Sequence, residues 1–428
     1  MNIKRVVLSL AVSLVMVPIA VVAYQYQRDT SADYPATSTA SSAERASRGA
    51  YLARAGNCMA CHTARGGQPY AGGRPIGTPF GTIYAPNLTP DRTTGIGTWS
   101  ADDFWRAMHE GKSKDGSFLY PAFPYPNYTK VTRADSDALF AFMRSVPAVT
   151  QPNREHALRF PYNQRVVLAF WRALYFRPGV FEPDSSRSAQ WNRGAYLVEG
   201  LGHCSACHTA RNAVGGSTAS DLGGGMIPVS NWYAPALSPG GESGLGVRRD
   251  ADIADLLHTG VSRRGAVFGP MAEVVATSLQ HLSPVDIAAM VGYLRSLPEQ
   301  VPGKPGDVLA VPADADAVVK RGRQLYGRFC VECHGAQGQG NAPAYPPLAG
   351  SHSLSAPTAV NAIRIVLNGG YPPSTSGNPR PYGMPPFGPA LSDREVADVV
   401  FYARSAWGNP GAVVSEVQVS RLRGAPVD

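Results

Sequence analysis

Six cysteines fall into three copies of one pattern: Cys58-Met59-Ala60-Cys61-His62, Cys204-Ser205-Ala206-Cys207-His208 and Cys330-Val331-Glu332-Cys333-His334. No thiol is left over. Two thiols at this spacing can add across the two vinyl groups of a haem, and the histidine that follows places an imidazole under the iron. The pattern therefore predicts three covalently bound haem c groups. Cys58, Cys61, Cys204, Cys207, Cys330 and Cys333 would hold them, with His62, His208 and His334 as proximal ligands. Zinc would want two such pairs converging in one fold, whereas these lie 146 and 126 residues apart. A redox-active pair of the same spacing would need a βαβ context, and the sequence has none.

The motifs sit inside a longer repeat. RGAYLARAGNCMACHTARGG from Arg48 returns as RGAYLVEGLGHCSACHTARNA from Arg193 and, more distantly, as KRGRQLYGRFCVECHGAQGQG from Lys320. Each copy opens as a short helix whose glycine and aromatic residue (Gly49 and Tyr51, Gly194 and Tyr196, Gly322 and Tyr326) are available to pack on another helix. Each closes on an amphipathic helix: DALFAFMRSVP, DIAAMVGYLRSLP and EVADVVFYARSAW. At 428 residues there is room for two to four globular units. Charged residues make up only 16%, and the 45 glycines and 37 prolines predict long loops between short elements. The formal charge of +8 includes Lys4, Arg5 and Arg28 around the N-terminal apolar segment, and no Lys/Arg-rich run is present, so no nucleic-acid partner is expected.

That apolar segment runs from Val6 to Tyr24 behind Lys4 and Arg5. Its 19 residues exceed a signal-peptide core and match a membrane span, while Val21-Val22-Ala23 is a passable cleavage site; a retained anchor and a removed signal both stay open. Either way the remainder is exported. The expected organisation is 1–28 signal or anchor, 29–46 flexible tether, 47–153 first domain, 154–187 interdomain helix and linker, 188–298 second domain, 299–313 linker, 314–410 third domain and 411–428 tail. QRVVLAFWRALYF, from Gln164, reads as a strut between the first two domains or a docking face. AVVSEVQVSRLRG, from Ala412, is too short a pattern to decide between attachment to a membrane and to a partner.

Each copy also carries a P-x-L element: Pro86-Asn87-Leu88, Pro235-Ala236-Leu237 and Pro346-Pro347-Leu348. Here the chain resembles class I cytochromes c. The implied fold is mainly α: three tandem class I cytochrome c domains with long loops, preceded by the N-terminal signal or anchor helix. The resemblance implies that each proline carbonyl accepts a hydrogen bond from the proximal histidine, fixing the ring and raising its basicity. It also implies distal methionine ligands, Met271 in FGPMAEVV and Met384 in RPYGMPPFGP. In the first domain the equivalent residue is Phe123, which cannot bind iron. Met108 is the nearest alternative, so the first haem either lacks a strong distal protein ligand or recruits Met108. His109 aligns with His258 of the second domain, and a structural role is expected for both.

The segments GGRPIGTPFGTIYAPNLTPD, GIGTWSADDF, LRFPYNQR and NRGAYLVEGLGHCSACHTARN resemble the triheme cytochrome c subunits of bacterial membrane-bound dehydrogenases. The resemblance implies a non-catalytic subunit on the periplasmic side of the inner membrane. It would relay electrons from a dehydrogenase catalytic subunit (molybdenum/iron-sulfur, quinoprotein or flavoprotein) to ubiquinone. Two residues depart from the family pattern, Ala210 where CHTPRN is usual and Phe123 where YPAMPY is usual. The PAFPY form resembles cytochromes paired with molybdenum hydroxylases and leaves the donor open among alcohols, aldehydes, sugars and N-heterocycles. Two rival readings stand beside this one: an enzyme reducing peroxide or another small oxidant at an open first haem, and a freestanding shuttle to a terminal oxidase.

Overall fold

The computed structural model describes residues 3–29, 34, 40–217, 221–240, 245–299, 314–341, 344–410 and 413–425. The expected linker at 299–313 lies, from residue 300 on, outside the described residues, as does most of the expected tether before residue 40. Two compact units form. One comprises Met1–Pro183 with Glu199–His203 and Asn212–Thr218; the other comprises Asp184–Val198, Cys204–Arg211 and Ala219–Asp428.

Helices of eight or more residues are numbered in chain order. They are α1 (Ile3–Gln27), α2 (Ser42–Ala55), α3 (Ala101–Glu110), α4 (Arg133–Ser145), α5 (Val167–Tyr175), α6 (Ala189–Tyr196), α7 (Asp250–His258), α8 (Pro270–Thr277), α9 (Pro284–Ser296), α10 (Ala315–Phe329), α11 (Val360–Asn368), α12 (Asp393–Ser405) and α13 (Glu416–Arg423). Short antiparallel strands carry the loops between them: β1 (Pro75–Thr78), β2 (Gly81–Tyr84) and β3 (Ala157–Leu158) in one sheet, and the hairpins Gly225–Ile227/Trp232–Ala234 and Val261–Ser262/Gly265–Ala266. Side-chain caps start the helices where the chain leaves a loop. Ser41 and Glu44 form a reciprocal cap on α2, and Thr132, Ser188, Ser283 and Ser392 accept from the third backbone N–H of α4, α6, α9 and α12.

One helix crossing occurs three times: α2 on α4, α6 on α9, and α10 on α12. At each the opening helix presents a glycine to the backbone of the closing one. A methyl group on Gly49 would fall 1.9 Å from the Ala138 carbonyl oxygen, one on Gly194 2.0 Å from that of Ala289, and one on Gly322 2.2 Å from that of Asp398. Only a residue without Cβ permits this approach. The arginine before each glycine then reaches an acid on the closing helix. Arg48 Nε meets Asp135 at 2.6 Å, Arg193 grips Asp286 with two bonds of 2.8 and 2.7 Å, and Arg321 Nε meets Asp398 at 2.7 Å. In the third copy the acid stands one helical turn later, because Glu395 at the earlier place closes the Ser392 cap.

The last core gathers Ile363 and Leu367 of α11 and Val396, Val400 and Phe401 of α12, together with Val419 and Leu422 of α13. Arg423 ties α13 down through Asp393 and the carbonyls of Gly388 and Leu391. α13 is therefore a structural part of this core. Val414, Val419 and Leu422 are buried in this packing, whereas Val417 stays exposed. Among the described residues no helix is long and apolar enough to cross a membrane; the side chains of Arg5, Val6, Leu8, Leu10 and Ala11 in α1 are outside the description.

Candidate functional site

Each cysteine motif forms a single helical turn, Cys58–Cys61, Ser205–His208 and Val331–His334, following an opening helix. A helical turn sets residues three apart on one face, which gathers both thiols of a motif. None of the six cysteines is in a disulfide. The imidazoles share one anchorage: Nδ1 of His62, His208 and His334 donates to the carbonyls of Pro86, Pro235 and Pro346 at 2.9, 2.6 and 3.0 Å. Nε2 is thereby left as the ligating nitrogen. Burial pushes each imidazole pKa down against the opposing pull of the proline carbonyl, favouring the neutral form that binds a metal. Burial, with the neighbouring cysteine second, pushes the Cys58 and Cys204 thiols up to about 12 and Cys330 up to about 11, so each is an uncharged thiol at neutral pH.

Among the described residues no three His, Cys, Asp or Glu side chains converge as a metal site. Each motif offers one imidazole nitrogen and two thiols, which suits a group that brings four equatorial nitrogens of its own and takes covalent anchorage at its edge. The residues fit a haem.

A backbone latch holds each proline in register, and sequence reasoning did not find it. Gly72, Gly224 and Gly340 donate their N–H to the carbonyls of His62, His208 and His334 at 2.8, 2.8 and 2.9 Å. The leucine of each P-x-L element donates to the residue two before that glycine: Leu88 to Tyr70, Leu237 to Leu222, and Leu348 to Gly338, at 2.7–2.8 Å. The three glycines and the three accepting residues all have positive φ, from 53° to 86°. A methyl on Gly72 would stand 2.5 Å from the Pro86 carbonyl carbon, so the glycine is required by both conformation and closeness. In the first copy Asn87 adds a side-chain clasp, donating to Thr94 Oγ1 and the Val149 carbonyl and accepting from Thr89.

The residues expected as distal ligands, or in their place, occupy different local settings. Met384 is half-buried in a loop paired with Gly370 through two backbone bonds of 2.8 and 3.0 Å. Met271 is half-buried in the first turn of α8, behind Pro270 and the positive-φ Gly269. Phe123 packs its ring 5.1 Å from that of Tyr128, whose hydroxyl donates to the Gly56 carbonyl two residues before Cys58. Burial, then the nearby Cys58 and Cys61, pushes the Tyr128 hydroxyl pKa well up, so it stays a neutral donor. Met108 is buried in α3, one turn from Phe104, whose ring packs on Phe140 of α4. His109 is fully buried; it donates through Nδ1 to the Thr129 carbonyl at 3.1 Å and stacks on Trp105 at 4.5 Å. His258 Nε2 likewise meets the Gln280 carbonyl at 3.2 Å. Both histidines serve packing and backbone satisfaction.

The comparisons with known proteins agree with this chemistry. The family model described as cytochrome c matches residues 46–147 and 319–407. The gluconate 2-dehydrogenase cytochrome c subunit of Pantoea cypripedii is 42% identical over 88% of this chain and 89% of its own. The cytochrome c subunit of an alcohol dehydrogenase (quinone) from Gluconacetobacter polyoxogenes is 39% identical over 89% of this chain and 85% of its own. A nicotinate dehydrogenase chain of Pseudomonas putida, longer than the present one and matched over 30% of its length, is 42% identical over 83% of this sequence. Covering nearly the whole of the first two relatives and carrying the haem-binding chemistry in its cysteine motifs, the chain belongs to the family of dehydrogenase cytochrome c subunits.

Proposed function

We propose that this protein is a triheme electron-transfer subunit, taking electrons from a catalytic dehydrogenase on the periplasmic side of the bacterial inner membrane and delivering them to membrane ubiquinone. The observation that carries the reading is the threefold imidazole anchorage on Pro86, Pro235 and Pro346 beside a cysteine pair that no disulfide ties up. Bound haem c supplies one-electron exchange at iron. The chain's own part is to hold the edges through Cys58 and Cys61, Cys204 and Cys207, and Cys330 and Cys333, and to fix the proximal imidazoles in one tautomer. Met271 and Met384 would supply thioether ligands to the second and third haems, a ligation that raises potential and suits electron transfer. The domain limits read from the repeat, 47–153, 188–298 and 314–410, give each motif its own domain. α1 serves as export signal or retained anchor. The donor is of the molybdenum, quinoprotein or flavoprotein kind. Relatives named for gluconate, alcohol and nicotinate dehydrogenases support that range.

The test is purification in mild detergent, identification of companions, and the haem spectrum followed as alcohols, aldehydes, sugars, N-heterocycles and quinone are added. A stable dehydrogenase partner with substrate-driven haem reduction, reversed by quinone, is expected. A protein that purifies alone, is not reduced by substrate and is oxidised by peroxide overturns the reading in favour of an enzyme with an open first haem. Phe123 in the place of a distal methionine is what keeps that second reading in view. Absence of carbon monoxide binding to the ferrous protein would remove it.

A further inference from the structure

One face of the first unit is not used by its own core. Helix α5 buries Leu168, Ala169 and Arg172, the last held between the rings of Phe118 and Phe176 at 4.7 Å from each and donating to the Glu110 carbonyl. The outward side is apolar as well. Val166, Phe170 and Leu174 follow at four-residue spacing, one above the other, and are 45%, 39% and 68% exposed. Just before the helix, Phe160 is 80% exposed and Tyr162 38%. Between Glu155 and Glu182 there is no acidic residue, and the exposed Arg159 and Arg177 flank the stripe, whereas Arg172 is buried and the half-buried Arg165 is turned onto the Phe118 carbonyl and the Tyr120 ring. Covering such side chains removes apolar surface from water, which is favourable.

The end of α1 is pinned at the same place. Val22 packs on Phe118, Leu168 and Ala169, and the Tyr26 ring lies 4.3 Å from Phe118. Lys112 Nζ donates to the carbonyls of Tyr26 and Arg28. Upstream, Leu14, Val15, Met16, Val17 and Ile19 are all more than half exposed. A strongly apolar segment therefore enters the unit beside a helix that is apolar on its outer side, aromatic at its start and cationic at its margins. That combination fits an anionic lipid surface: alkyl and aromatic side chains meet the acyl edge, and guanidinium groups meet phosphates.

We infer that α5 is a membrane-interface helix, its Val166–Phe170–Leu174 stripe seated in an anionic phospholipid leaflet with Arg159 and Arg177 at the headgroups. The inference rests on the reading that the chain works at a membrane, but on no particular donor or acceptor.

The test uses the full haem-loaded chain with a nitroxide on a single added thiol, F170C or L174C, and the exposed loop site Q68C as control. Native thiols bonded to haem do not react. Phosphatidylcholine vesicles with and without phosphatidylglycerol are compared, reading nitroxide accessibility to oxygen against a water-soluble nickel chelate; unchanged haem content and spectrum establish that each variant is folded. The expected result is a several-fold rise in the oxygen-to-chelate ratio at 170 and 174 on phosphatidylglycerol vesicles, with no change at 68. Ratios at 170 and 174 that track position 68 overturn the inference. So does an equal rise on neutral vesicles, and so do labels that are shielded from both reagents only when the co-purifying dehydrogenase is present. Substrate-driven haem reduction is measured separately, so failure here leaves the electron-transfer reading standing and failure there leaves this one.

Discussion

Phe123 shows how much one residue decides. Its ring stands at the sequence position where the second and third repeats carry a sulfur, and it leans on Tyr128 beside the Cys58 motif. Phe123→Met is expected to supply a thioether, abolish carbon monoxide binding at one ferrous haem of three, and raise that haem's potential; spectroelectrochemistry with a carbon monoxide titration checks it. Gly224 acts on the other side of the second site. It sits at φ 86°, donates to the His208 carbonyl, and would place a Cβ 2.8 Å from Ala236 N. Gly224→Ala should displace the Pro235 carbonyl from His208 Nδ1. A less basic imidazole stabilises ferric iron less, so the potential of that haem alone should rise, as redox titration of the three haems would show. The thiols and imidazoles that we propose hold haem were legible because their spacing is what that chemistry requires. The latch glycines were not, since a positive φ and a carbonyl partner depend on how loops from either side of the motif meet.

At the scale of elements, the helix crossings set a contest between two contributions. The Arg193–Asp286 pair is well aligned, yet Arg193 is 30% exposed, and partly exposed pairs contribute little. Gly194 permits a backbone approach that no side chain can share. Arg193→Ala should therefore cost about 1 kcal/mol or less, whereas Gly194→Ala should cost about 3 kcal/mol or more, because α9 has to move away. Thermal unfolding of the haem-loaded protein followed at the haem absorbance measures both, and equal costs would show that charge rather than closeness holds the crossing. Amphipathic spacing announced α4, α9 and α12 in advance, with the glycine and aromatic residue of each opening helix. The acid that each arginine reaches was hidden by sequence distances of 77 to 93 residues, and in the third copy by its displacement of one turn. The role of α13 was equally hidden: eight residues of weak periodicity become structural once α11 and α12 offer them a groove.

For the whole molecule, repetition of one unit predicts local failure. Replacing both thiols of the middle motif, Cys204→Ser with Cys207→Ser, should lower the haem-to-protein ratio from three to two in a pyridine haemochrome assay and leave the other two haem spectra intact. The first and third sites draw on their own crossings, Gly49 on Ala138 and Gly322 on Asp398. Loss of all haem would mean that attachment is cooperative along the chain. The sequence alone supplied three CxxCH motifs, the helical frame and the prolines near each histidine, because motif spacing and helical periodicity are properties of neighbouring residues. The tertiary structure decided the rest: which carbonyl each imidazole takes, which acid each arginine reaches, that His109 and His258 are spent on backbone carbonyls, and that α5 keeps an apolar side uncovered. Those outcomes depend on distances between residues far apart in the chain, and packing fixes such distances only after the local elements have formed.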